Sequence, residues 1–187
     1  MTTTTATQPA LEEWSAVVHA LLDGRQTVLL RKGGIGEKRF AVTASRFLLF
    51  PTVAHSHAER VRSEHRDLLA AAADDSTEDA VTIRAGAAVV AAIDVKRPQG
   101  LEDIAGQHIW TDESVRADRL DFRPRHPLTA LVVQACPLTQ PARIARTPDY
   151  AGCTSWVSLP VDPQWGPPVH DEATLRKIAA DVRHSVG

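Results

Sequence analysis

Four apolar runs constrain this chain most. Residues 26–31, 46–52, 81–96 and 128–136 are dense in Val, Leu, Ile, Phe and Ala, and each is bounded by charged, Gly or Pro positions. Continuous apolar composition over so short a length marks strands covered on both faces. The segments between them vary in length and do not alternate strictly between strand and helix, which argues against a doubly wound sheet. The pattern predicts a single α+β domain built on a curved, mostly antiparallel sheet or small barrel with flanking helices. With 187 residues, 43% of them hydrophobic, the chain can bury one substantial core.

Helical signals fill the gaps. Leu11, Trp14, Val18 and Leu21 share a face, predicting a helix over 11–22 that stops at Asp23-Gly24. Ser56-x-x-Glu59 has capping-box spacing ahead of a helix carrying Val61, Leu68 and Leu69. Thr111 and Asp171 are N-cap residues for two more, the last with Leu175, Ile178, Ala179 and Val182 at helical spacing. The acidic stretch 74–79 reads as a solvated loop, and Gly86 as a break in the third apolar run. Residues 1–10 read as a Thr-rich disordered leader, leaving 11–187 as the domain. No apolar run approaches the roughly 20 residues of a membrane span. That leader lacks the marks of a signal peptide, and Cys136 and Cys153 stand in no metal spacing, so a cytoplasmic protein with reduced thiols is expected.

The stretch with most chemical content is Leu29-Leu30-Arg31-Lys32-Gly33-Gly34-Ile35. A buried strand that ends in two cations and two glycines delivers donors on a backbone that can approach an anion closely. It matches neither the Walker phosphate loop nor the dinucleotide fingerprint. The net charge of −2 supplies no global attraction to nucleic acid, so such affinity must come from this local patch. Trp110 and Trp156 are candidates for stacking a base, against the alternative of core packing. Arg31 and His55 would share one cleft only if their strands were parallel neighbours or the His55 loop folded back.

Two metal readings compete with this one. His55-x-His57-x-Glu59, with His65 nearby, offers transition-metal donors if extended, but a helix cap at Ser56 breaks that geometry, and no bound metal or other cofactor is expected. Asp94-Val95-Lys96 mimics the D-x-K element of Mg²⁺ nucleases and lacks a second acid placed to complete it.

Resemblance adds to this reading. The Leu29–Ile35 stretch, Phe47-x-Leu49-Phe50-Pro51-Thr52-x-x-His55, His108-Ile109-Trp110-Thr111 and Gly152-Cys153-x-Ser155-Trp156 together resemble a bacterial family of unknown function over nearly the whole chain. Gly24-Arg25-Gln26-Thr27-x-x-x-Arg31 is similar to the opening of PUA-like ASCH domains, whose signature is roughly G-x-K-T-x-E-x-R. That resemblance implies a small β-barrel with flanking helices. Many such domains handle RNA, and a few hydrolyse modified nucleosides with the Lys and Glu of the signature. Here Gln26 and Leu29 occupy those positions, and Gln cannot do the acid/base work of Lys. The expectation is therefore a module that binds RNA, a nucleotide or a modified base through Arg31, Lys32, Gly33 and Gly34, with His55, Trp110 and Trp156 as further contacts. The alternative is a metal-dependent phosphoesterase or nuclease using Asp94, Lys96 and His55. Whether the protein is an enzyme stays open at this point.

Overall fold

The computed structural model describes residues 6–33, 39–54, 56–152 and 154–187. In chain order the main elements are β1 (Gln8–Trp14), α1 (Ser15–Leu22), β2 (Val28–Arg31), β3 (Arg46–Thr52), α2 (His57–Arg60) and α3 (Leu68–Ala73). There follow β4 (Ala80–Asp94), a 3-10 segment Pro98–Gln107, α4 (Asp112–Val115), a π-helical turn Arg116–Asp121, β5 (Thr129–Ala145), β6 (Trp156–Leu159) and α5 (Glu172–Val186). The strands make one six-stranded sheet in the order β2-β5-β4-β3-β1-β6, curled into a half-barrel. All neighbours are antiparallel except β1 and β3.

The four apolar runs form four of these strands, each antiparallel to its neighbour in the order β2-β5-β4-β3. Their unbroken hydrophobicity has a simple cause. In β3, Phe47 and Leu49 point into the curl, where they meet α1 and the inner faces of β2 and β5, while Leu48 and Phe50 join an outer core with Ile83, Val157 and Leu159. A strand with two buried faces needs no polar alternation. β4 and β5 pair from Ala80–Ala145 to Asp94–Thr129, with register shifts between Ile83 and Ala85 and between Val89 and Ala91 that bend the ladder.

Several sequence expectations are corrected. Residues 8–14 are a strand, not a helix start, and Gln8, Pro9 and Ala10 belong to β1: Ala10 is buried between Leu48 and Val157 in the sheet. The helix itself begins at Ser15 and ends where Gly24 takes φ +78°. The helix expected after Ser56 breaks into α2, a 3-10 turn and α3, because Val61 leaves helical geometry to bridge Trp110, and the Ser56 hydroxyl makes no capping bond. Thr111 and Asp171 do cap, accepting from Ser114 and Thr174 N–H. The acidic loop is not wholly solvated: Asp75 is 1% exposed and receives hydrogen bonds from His19 at 2.6 Å and Arg84 at 2.8 Å. Those hydrogen bonds hold its carboxyl below the usual range although burial pushes the other way. Among the described residues no helix is long and apolar enough to cross a membrane.

Gly86 lies inside β4 as a close-approach site, not a break. A Cβ there would collide with the Trp165 ring and sit 2.5 Å from the Phe47 carbonyl oxygen. Trp165 is itself held by the Arg46 guanidinium, 3.8 Å above the ring. Gly86→Ala is expected to cost about 2 kcal/mol or more, as overpacking against fixed backbone does, and urea denaturation that shows the variant within 0.5 kcal/mol of wild type would refute this packing account.

Candidate functional site

Curling the sheet brings the end of β2 across to the end of β1. Arg31 leaves β2 and donates from Nη1 to the Glu12 carbonyl at 2.9 Å and to the Glu13 carboxylate at 3.3 Å. Glu13 is 4% exposed, and its other oxygen accepts from the Trp14 N–H. A carboxylate so buried is tolerable only because it is paired and hydrogen-bonded. Beside this clasp opens a cleft of about 400 Å³ lined by Trp14, Leu30, Arg31, Lys32, Gly33, Asp118, Arg119 and Phe122. β2 and β3 are three places apart in the sheet and antiparallel, so the curl, not lateral pairing, brings β2 near the end of β3, whose Thr52 hydroxyl lies 3.4 Å from the Glu13 carbonyl.

The remaining walls come from the π-helical turn after α4. Its wide turn carries Asp118 and Arg119 towards β2, and Arg119 Nε donates to the Leu30 carbonyl at 3.1 Å. Arg119 also lies over Trp110, 5.5 Å from the ring centroid. Burial lowers its pKa, and Arg31 adds to that by repulsion while Glu13 opposes it. Lys32 Nζ donates to the Phe122 and Arg123 carbonyls at 2.7 and 2.9 Å, fixing the turn that presents Phe122. Its pKa is lowered by burial and then by Arg119. Phe122 is 53% exposed at the mouth, and Arg123 stands 5.0 Å over its ring. The floor is aromatic: His57 stacks on Trp14 at 3.6 Å, and Trp110 meets Trp14 edge-on at 4.2 Å.

The family model described as a domain of unknown function (DUF1802) matches residues 10–181. The chain belongs to this family. Comparison with curated proteins finds no match. Among solved structures, the ASCH protein of Zymomonas mobilis is similar at 12% identity and a TM-score of 0.45, over 91% of this chain and 93% of that one. A serine-to-alanine mutant of that protein is similar at 14% identity and 0.43, over 92% and 94%, and a tyrosine-to-phenylalanine mutant at 15% and 0.45, over 91% and 96%.

The DUF1802 chain thus gathers Arg31, Lys32 and Gly33 on one cleft. Gly34, His55 and Cys153 lie outside the described residues. Trp110 is 2% exposed, so it supports Trp14 from below and offers no face to a base. Trp156 sits on β6, where its indole N–H donates to the Ala41 carbonyl and it packs against Phe40 and Phe47, away from the cleft. His57 is buried and Glu59 exposed, so the two do not share a face, and among the described residues no three His, Cys, Asp or Glu side chains are grouped to hold a metal ion. Asp94 and Lys96 are exposed at the end of β4, and the ion pair seen for Asp94 is a long one to Arg39 at 4.0 Å. Glu13, Asp118, Arg119 and Phe122 escape a reading of the sequence alone. A signal for the last exists in Asp121-Phe122-Arg123-Pro124-Arg125, an aromatic set among cations in a Pro-rich loop.

Two titratable groups flank the cleft with opposite consequences. Burial lowers His57 to about 4, so protonation opposes folding as pH falls from about 6.5 towards 4. Burial raises Glu12 to about 7 against the pull of Arg31 and Arg146, so its ionisation opposes folding as pH rises from about 4.5 towards 7. The two slopes oppose one another, and the buried His108, its pKa pushed down to about 3, adds to the loss towards acid. Relative to wild type, His57→Phe should remove a loss of roughly 2 kcal/mol between pH 7 and 4.5, whereas Glu12→Gln should steepen the loss towards acid; urea midpoints at both pH values that move in parallel for all three proteins would contradict this. The clasp makes a separate prediction. Arg31→Ala strands a buried carboxylate and should cost about 3 kcal/mol of stability, much of it regained in the Arg31→Ala, Glu13→Gln double variant; a single-variant loss under 0.5 kcal/mol would show the pair to be unimportant.

Proposed function

We propose that this DUF1802 chain is a cytoplasmic module that binds RNA or a nucleotide in the cleft at the end of β2. What supports the reading is the convergence of Arg31, Lys32 and Arg119 with the exposed ring of Phe122 on one concave surface. Cations on a cleft wall suit phosphate, and an exposed aromatic at its mouth suits a base of any sequence. The ASCH-like opening at residues 24–31 points the same way, since many domains of that kind handle RNA. The roles within the stretch differ from those the sequence suggested. Arg31 is committed to Glu13 and acts first as a clasp, so phosphate falls to Lys32 and Arg119. Stacking falls to Phe122, because the Trp14 ring is already stacked by His57.

The test is titration of short single-stranded RNAs at two salt concentrations. Phe122→Ala should weaken binding by about 1–3 kcal/mol, with little effect on stability, since its side chain is exposed. Lys32→Ala should weaken binding to all sequences and reduce the logarithmic salt slope by about 1. No binding at low salt, or equal affinity for wild type and both variants, rejects the reading. Arg31→Ala is a poor probe because it alters folding as well.

A further inference from the structure

On the far side of the π-helical turn lies a second cavity of about 210 Å³, which contains His108, Leu101, Val115, Leu120, Glu102 and Asp112 in its lining. It is smaller than the roughly 300 Å³ at which pockets for drug-sized ligands begin, which suits one ring system. His108 is 1% exposed. Its Nδ1 accepts the Trp110 N–H at 3.1 Å, which places the ring proton on Nε2 and leaves that N–H to be offered elsewhere. Burial, with Arg62 and Arg119 nearby, keeps the ring neutral, its pKa pushed down to about 3. The cavity therefore combines one donor on a buried ring, apolar walls from Leu101, Val115 and Leu120, and two carboxylates that accept.

This cavity is not isolated. A third hollow of about 220 Å³ shares Pro98 and Leu120 with it and shares Lys32 and Arg119 with the cleft. Arg125 and His126 also line that hollow, and His126 Nδ1 is buried there without a hydrogen-bond partner. The three hollows thus follow the turn Arg116–Asp121 from the His108 cavity to the Phe122 mouth, with the basic part in the middle.

We propose that the base of a nucleotide enters the His108 cavity while its phosphate rests on Lys32, Arg119 and Arg125, and that the cavity selects bases carrying an exocyclic amine. The proposal rests on the nucleotide reading above and adds the base site and its preference. Adenine, cytosine and guanine each place an acceptor for His108 Nε2–H next to an amine whose two N–H groups can reach both Glu102 and Asp112, whereas uracil's single N3–H beside its carbonyls can serve one carboxylate only. The apolar walls accept the ring faces of any of them.

Calorimetric titration of AMP, CMP, GMP, UMP and ribose 5-phosphate into the full chain at low salt tests this, alongside short RNAs. The amine-bearing nucleotides should bind about tenfold more tightly than UMP or ribose 5-phosphate, the factor for one lost hydrogen bond to a charged group. Val115→Phe, which fills the cavity, should bring all five to the same weak affinity. Histidine-selective ¹⁵N spectra of the wild-type protein need no variant and should show the His108 signals shift with AMP but not with ribose 5-phosphate. Equal affinities for all five, or a preference that survives Val115→Phe with unmoved His108 signals, overturns the base site. If RNA still binds through Lys32 and Phe122 in that case, the RNA reading stands without it; if no phosphate ligand binds at all, both fall.

Discussion

The ladder between β4 and β5 is the interaction on which the other parts depend. It is the longest pairing in the molecule, β2 hangs from one side of it and β3 from the other, and through β3 come β1 and β6. α5 packs along it, and the Lys96 and Arg97 N–H groups, just past β4, bond to the Val186 carbonyl at the end of that helix. An antiparallel ladder this long twists, and its two register shifts concentrate the bend. The bend has a further structural consequence: it carries β2 round to face β1, so that Arg31 and Glu13, 18 residues apart in sequence and not on neighbouring strands, come within bonding distance.

Much of the sheet was legible in the sequence because strands buried on two faces write themselves as uninterrupted apolar runs. β1 was not. Its buried positions include a glutamate, and Gln8-Pro9-Ala10-Leu11-Glu12-Glu13-Trp14 has too few apolar residues to show a period of two, while Leu11 and Trp14 happen to match the spacing of the helix that follows. The same blindness hid Asp75. A carboxylate is buried only when distant partners satisfy it, and His19 and Arg84 lie 56 and 9 residues away. No local pattern reports such a pairing.

The cleft was half visible in the sequence for a related reason. Arg31, Lys32 and Gly33 stand out because two cations end an apolar strand, and they do line a cleft. The opposite wall comes from residues 118–122, about 90 positions later, and depends on a π-helical turn that composition does not announce. The roles inside the visible stretch were likewise set by residues outside it. Glu13 takes Arg31, and the carbonyls of Phe122 and Arg123 take two donors of Lys32.

The proposed anion site lies in a chain with net charge −2, so it depends on the charge balance inside the cleft. Arg31, Lys32, Arg119 and the neighbouring Arg60 outnumber three carboxylates: Glu13 and Asp118, with which Arg31 and Arg60 pair, and Asp121, which acts on Lys32. That leaves a positive excess shared by Lys32 and Arg119, with Asp121 the carboxylate nearest in effect to Lys32. These two are half-buried, their pKa values are lowered by burial, and each also feels a like charge: Lys32 that of Arg119, and Arg119 that of Arg31. The fold therefore holds cations together at a cost, with backbone carbonyls of Leu30, Phe122 and Arg123 fixing their positions. In the proposed function an incoming phosphate would relieve that repulsion without reorganising the groups that hold it, which is the condition under which a small basic patch can act against the sign of the whole molecule.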